Sequence, residues 1–455
     1  MQLLLLPLTF LSKFFNAHAF FIASLPILWM LFKNPLDIKK IIPRRRTIVI
    51  WVIIIFLQIL AMLISFPYTS MSAVPIGIVQ SVVLLLKQVV MIWMIYSFTK
   101  LYITNQENAV KFIRWALYGY AIYAILVIMP EVLITIGVHS LDGYINTLAS
   151  VFETRWAGRT DFYQLGSYAV TQGRVNGFEG ESPVFANLLG VVYLPIIIGL
   201  LIGKDKLVFK KPKIILWVMV IVSGIFLLMA KTTTGILTIA LLYLAWLILA
   251  DHHDRKLLFL LGLVGIAAIA LAYVFVTPVH NVLTQFLFEK QGTSNRLGGT
   301  IGLIFTFLST PFLGTGQGFA GYFITEFIPT WSTHNWEYEN VYSKLGYPVL
   351  SGFFGWLAQY GLIIMVPLLF FVTKYIIDLI NRRKQYIQAQ SDNERFYYSM
   401  LNSSLVTFSV LIPSSFLSFD IFKWSMFLML FFYWRVLSLS ADNQTFPEHH
   451  YIFKS

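Results

Sequence analysis

Long apolar runs recur along nearly the whole chain, separated by short polar connections and by two long ones. The runs fall at His18–Phe32, Thr47–Ser65, Val74–Phe98, Phe112–Ile136, Pro183–Ile202, Ile214–Ala230, Gly235–Ala250, Leu257–Val276, Phe353–Ile380, Phe396–Pro413 and Ile421–Leu439. A helix needs roughly 20 apolar residues to cross a bilayer, so this pattern predicts eleven crossings. Met1–Leu11 is apolar as well, but as a helix it extends only about 17 Å. It reads as a half-span or interfacial piece, and if it spans, the crossings number twelve. The chain is thus expected to be an all-α polytopic membrane protein, a single transmembrane domain over residues 1–455, with no internal repeat and no separate soluble domain.

The two long polar connections cover 139–182 and 278–352. Connections of that length beside a membrane are usually functional. Basic blocks at Lys33–Arg46, around Lys204–Lys213 and at Arg382–Lys384 belong on the inner side by the positive-inside rule. Alternating crossings then place both long loops together on the outer side.

Composition agrees with the pattern: 58% of residues are hydrophobic and only 12% charged, against about 25% charged in a soluble domain. A net charge of +12 raises the question of nucleic acid. The cations, however, sit in short blocks between apolar runs, which is the distribution of topology signals and of attraction to anionic membrane lipids; no nucleic-acid partner is expected. With no cysteine, disulfides and thiolate metal sites are excluded. The N-terminus lacks the basic region and cleavage site of a signal peptide.

Candidate chemistry concentrates in the two loops. The first ends in GRVNGFEGESP, which places Arg174, Glu179 and Glu181 just before Pro183, a residue suited to the first turn of a helix. An arginine beside a helix start can hold an anion, and a carboxylate can take a proton from a hydroxyl. A solvated loop tied down by an Arg–Glu pair accounts for the same residues equally well. In the second loop, Pro278–Tyr347, Arg296 precedes an apolar run that leads to GTGQG (Gly314–Gly318), whose glycines permit close approach of backbone to a ligand. His334 and Asn335 follow, near Glu337 and Glu339. The imidazole can act as a base or bind phosphate, although a surface histidine in an aromatic loop fits as well. His334 and Glu337 at i, i+3 make a poor metal pair with no second histidine nearby, so neither a metal nor a cofactor is expected. Lys87 lies in mid-span and is expected to face the bundle interior. Lys231 opens KTTTG, a short outer turn, and reads either as a phosphate contact or as an interfacial cation.

Taken in order, Arg174-x-x-Gly177-x-x-x-Glu181-Ser182-Pro183, Thr234-Gly235, Arg296, Pro311-x-x-Gly314-x-Gly316-x-Gly318 and His334-Asn335 before a span containing Gly361 resemble the O-antigen polymerase and ligase superfamily, the Wzy-like and WaaL-like glycosyltransferases of GT-C type. The resemblance covers roughly Gly173–Phe371 and rests on the sequence of motifs, each of which is loose. It implies a multi-pass protein of the bacterial inner membrane with a periplasm-facing active site. There a growing glycan would pass from undecaprenyl diphosphate to an acceptor sugar hydroxyl, with no cofactor and with a chain-length regulator as a possible partner. Arg296 would contact the diphosphate, assisted by Arg174, Lys231 and Asn335, and His334, Glu181 or Glu179 would activate the hydroxyl. Ligases of the superfamily often carry arginine where this chain has Lys231, and lysine lacks the bidentate fork; the Glu-Ser-Pro element leans toward a polymerase. A ligase to lipid A core or protein is the alternative within the class. A transporter or flippase for the same lipid-linked glycan is the alternative outside it, but it would place polar groups at the midplane on broken helices.

Overall fold

The computed structural model describes residues 5–442 except 6–8, 15–16, 19–20, 23, 72–76, 157, 210–211, 276, 278–279, 281–283, 285–292, 344–345 and 419–422. Each of the eleven apolar runs contains an apolar helix, although in the first, His18–Phe32, the helix begins only at Ser24, with His18 in a strand and residues 19–20 and 23 outside the described residues. Eight are long and apolar enough to cross a membrane: α2 (Arg45–Ser65), α3 (Ile78–Tyr102), α4 (Gln106–Thr135), α6 (Ser182–Gly203), α9 (His252–Phe275), α12 (Gly352–Gln385), α13 (Asp392–Leu417) and α14 (Trp424–Asp442). Three are shorter: α1 (Ser24–Lys33), α7 (Ile214–Met229) and α8 (Thr233–Leu249). The chain is an all-helical polytopic membrane protein, with two-residue strands Lys13–Phe14 and Ala17–His18 as the one β pairing among the described residues. Most of Met1–Leu11 lies outside the described residues.

The first long loop carries α5 (Asp142–Phe152). The second is not structureless, since it folds into α10 (Thr293–Ser309) and α11 (Ala320–Phe327).

Among the eight long helices α6 is the most enclosed and α9 the most exposed. Small residues explain how α6 sits so deep. Gly199 and Gly203 lie against Ser403 and Ser399 of α13, and Gly190 lies against Thr238 of α8, each where a Cβ would overlap the neighbour. In lipid, helix association rests on such close contact and on interhelical hydrogen bonds, worth about 0.6 kcal/mol each. Here these include Asn187 Nδ2 donating to Ser418 Oγ (2.9 Å) and Thr407 Oγ1 donating to the Val191 carbonyl (3.2 Å).

Lys87 does not face the interior. It lies on the exposed side of α3 with Val83, Leu84 and Val90. The buried side is set by Ser81 and Leu85, and two residues beyond Leu85 is about 200° around the helix.

GTGQG also has a different task from the one expected. α12 is broken at Gly361, where φ is 62° and ψ −179°, so helical hydrogen bonding stops within the apolar span. The 311–318 turn takes up the released groups. Leu362 N donates to the Pro311 carbonyl (2.8 Å) and Ile363 N to that of Phe312 (3.1 Å). In return Thr315 N donates to the Ala358 carbonyl (2.9 Å) and Gly316 N to that of Gln359 (3.0 Å). Gln317 N reaches Gln58 Oε1 on α2, and Gly318 N reaches Gln359 Oε1, each at 3.0 Å. Non-helical backbone within a span requires this kind of internal accounting. The glycines are needed because the backbones nearly touch: a Cβ on Gly314 would lie 2.5 Å from the Gln359 carbonyl carbon, and one on Gly316 would lie 2.7 Å from Met62 Cγ.

Candidate functional site

The segment 174–181 is held by buried carboxylates from outside it. Glu131, on α4, accepts from Asn176 N (3.0 Å) and Gly177 N (2.7 Å). Glu153, just past α5, accepts from Tyr168 N (3.0 Å) and Asn176 Nδ2 (3.2 Å), and burial raises its pKa. Tyr163 OH donates to the Gly180 carbonyl (3.0 Å), and Gly180 lies against the Trp156 indole, with no room for a side chain. Glu179 turns inward as well. It is 1% exposed, is paired with Lys423 at the start of α14, and accepts from Ser12 Oγ (3.1 Å).

Glu181 is placed differently. It is the residue before α6, in extended conformation, with Ser182 and Pro183 opening the helix behind it. Burial raises its carboxyl to about 7, against the pull of the Arg159, Arg296 and Arg174 guanidinium groups, and Glu337 adds repulsion in the upward direction. Those five charged groups come from both long loops, which therefore meet at one end of the bundle.

Arg159 makes the junction. It pairs with Glu337 (3.0 Å) and with Asp161 (3.0 Å). Glu337 also accepts from Asn295 Nδ2 (2.8 Å) and Tyr342 OH (3.2 Å). Asn295 and Asn335 exchange amide hydrogen bonds at 3.0 and 2.7 Å, and Tyr347 OH donates to the Asn295 carbonyl (2.6 Å). Asn335 thus stands inside the network, positioning the first turn of α10, where Arg296 also lies. Arg296 donates to the Leu417 carbonyl at the end of α13 (3.3 Å).

Arg174 and Lys231 form a reciprocal strap. Arg174 donates to the Lys231 carbonyl (2.7 Å), and Lys231 Nζ donates to that of Gly173 (3.0 Å). Lys231 takes a positive φ of 46° to do so, and burial together with Arg174 lowers its pKa. His334 is exposed, on the outside of the network. Among the described residues no group of three metal-ligating side chains occurs.

Arg159 and Asn295 are among the members that sequence reasoning passed over, as are Glu131, Glu153 and Asp161. Neither Arg159 nor Asn295 lies in a motif, and the Arg159–Glu337 pair joins positions 178 apart in the chain. No family model matches the chain, and no curated protein matches it in sequence.

Proposed function

We propose that the protein is a membrane glycosyltransferase of GT-C type that polymerises undecaprenyl-diphosphate-linked oligosaccharide repeat units at the outer face of the bacterial inner membrane. The observation that carries this reading is Glu181, a carboxylate at the mouth of the most buried helix with three arginines from two loops acting on it. A base for a sugar hydroxyl works best with a pKa near the working pH, and a diphosphate leaving group calls for charge-assisted guanidinium contacts in a partly dry site.

In the proposed step, the acceptor hydroxyl gives its proton to Glu181. Its oxygen bonds to the anomeric carbon of the growing glycan while the bond from that carbon to the diphosphate breaks. Undecaprenyl diphosphate leaves with the electron pair, its charge met by Arg296 and by Arg159 or Arg174. Asn335 and Asn295 hold Arg296 in position through α10. In this arrangement Glu179 is a structural anchor, Lys231 a strap, and His334 a contact for the incoming glycan.

Purified protein given lipid-linked repeat units, without ATP, is expected to make longer glycans. Glu181→Gln is expected to lower the rate at least 100-fold, the range for loss of a general base, and Arg296→Ala about 100-fold or more, the range for loss of a charge-stabilising donor, each with the fold intact. Wild-type protein that elongates nothing overturns the polymerase reading. Transfer to a lipid A core acceptor instead would make the protein a ligase, and normal elongation by Glu181→Gln would remove the proposed base.

A further inference from the structure

We infer that the exposed side of α3 around Lys87 is the docking surface for a transmembrane helix of another protein, one that carries a carboxylate at the same depth in the membrane. Lys87 shares its exposed face with Val83, Leu84 and Val90, which are 44%, 41% and 41% exposed. Among the described residues it forms no ion pair and no hydrogen bond. Its neighbour Gln88 is exposed too and accepts from Tyr360 OH (3.3 Å), so the two polar residues stand at the level of the break at Gly361 on α12.

A lysine in hydrocarbon is unfavourable unless it snorkels to a boundary or meets a counter-charge. From Ile78 to Tyr102, α3 is about 37 Å long, and Lys87 lies about 13 Å from its first residue. With about 30 Å of hydrocarbon centred on the helix, the nearer boundary is about 10 Å from Lys87, further than its four-carbon stem extends. The same depth argues against a lipid headgroup, whose phosphate lies outside the hydrocarbon. A neighbouring helix, by contrast, can hold a carboxylate at any depth.

A second copy of this chain does not supply that carboxylate. Among the described residues, the acids lying more than one turn inside a long helix are Glu131 and Asp378. Glu131 is buried and accepts the Asn176 and Gly177 amides. Asp378 lies about 25 Å further along α12 than Gly361, far from the level of Lys87. The occupant is therefore another chain, and an apolar face with one lysine is matched by an apolar helix with one acid, since polar contacts between helices persist in lipid.

The full chain in phosphatidylcholine vesicles can be tested against a leucine-rich transmembrane peptide of about 20 residues, with a single glutamate about 10 Å from one boundary, association being read by energy transfer between labels. Wild-type protein is expected to bind this peptide about tenfold more tightly than its all-leucine version, the range for a strong polar contact between helices in lipid. Lys87→Leu should bind the two peptides equally, and Lys87→Glu should instead prefer a peptide in which lysine replaces the glutamate. That reversal separates pairing from a change in fold. Equal binding of the glutamate and leucine peptides by wild type overturns the proposal, as does an undiminished preference in Lys87→Leu. Loss of the preference when phosphatidylglycerol is added to the vesicles gives the face to an anionic lipid, and dimers of the chain that Lys87→Leu abolishes give it to a second copy; either result overturns the assignment to another protein.

Discussion

The two long loops are held at the same end of the bundle by opposite means. The first is held by charge: Glu131, Glu153 and Glu179 sit buried and accept backbone amides, an amide side chain and the Lys423 ammonium. The second is held by backbone. Its 311–318 turn completes the hydrogen bonding of a helix broken at Gly361, and glutamines from α2 and α12 cap what remains. The difference shows which charges are available for chemistry. Around the first loop carboxylates are abundant, but three of them are spent on architecture, and Glu181 alone faces the second loop's charges. In the second loop the glycines are architectural, and Glu337, held by Asn295, reaches across to Arg159 of the first.

If that contrast is right, the largest effect on stability comes from Glu179→Ala. The change deletes the counter-charge that Lys423 meets inside the protein, and breaking a buried pair from one side costs about 3–5 kcal/mol. The midpoint of thermal unfolding in detergent should fall sharply; an unchanged midpoint would mean that the pair is solvated and that the first loop is not held by charge. Gly361→Ala comes next. A Cβ there would lie 2.5 Å from Gly314 N, on a residue whose φ of 62° a side chain disfavours. Strain of this kind costs about 1–3 kcal/mol before any loss of the turn's hydrogen bonds. Gly224→Ala, in α7, where nothing lies within 4 Å of the added carbon, provides the control and should be neutral or mildly stabilising.

Those two sites also mark how far the sequence could be read. All eleven apolar runs contain a helix, eight of them long enough to cross a membrane, because hydrophobic length is a local property that needs no tertiary information. The Pro-Val start after Glu-Ser was legible for the same reason, as proline at the first turn is a local signal. GTGQG was visible as unusual, yet its role was not, because the partner that needs it, the break at Gly361, lies inside what reads as an uninterrupted apolar span. Lys87 was misplaced because charge in a span suggests an interior position, whereas the face it occupies follows from the register of Ser81 and Leu85. Glu179 and Glu181 are two residues apart and look equivalent in the sequence. Only Lys423, 244 positions away, separates the anchored carboxylate from the other.

Arg159→Ala should have a smaller effect than either of the first two changes. Its side chain is 13% exposed and pairs with a Glu337 that is 33% exposed, so the loss belongs between the surface and buried cases, about 1–2 kcal/mol. The more telling readout is hydrogen exchange. Opening of the junction should speed exchange in 295–300 and 335–342 together while leaving 174–180, held by the buried glutamates, unchanged. Faster exchange in 174–180 to the same degree would mean that the loops are one unit and the contrast between them false.

Near pH 4.5 the smallest change in stability is expected from Glu181→Gln, and there pH carries the information. The Glu181 carboxyl is raised from 4.5 to about 7, so between those values the unfolded chain releases a proton that the folded chain keeps. Stability therefore falls as pH rises from about 4.5 to about 7 and levels off above it. Glutamine cannot ionise, so the variant should lose that component of the slope. The two unfolding profiles should converge near pH 4.5, where Glu181 is protonated in both states, and separate toward pH 7 with the variant the more stable. The same titration governs the proposed chemistry with the opposite sign, since the base is the ionised form: glycan transfer should rise through pH 7 as stability reaches its plateau. Parallel profiles for variant and wild type would show that Glu181 is no more perturbed than an ordinary surface carboxylate, and the distinction between the spent glutamates and the available one would go with it.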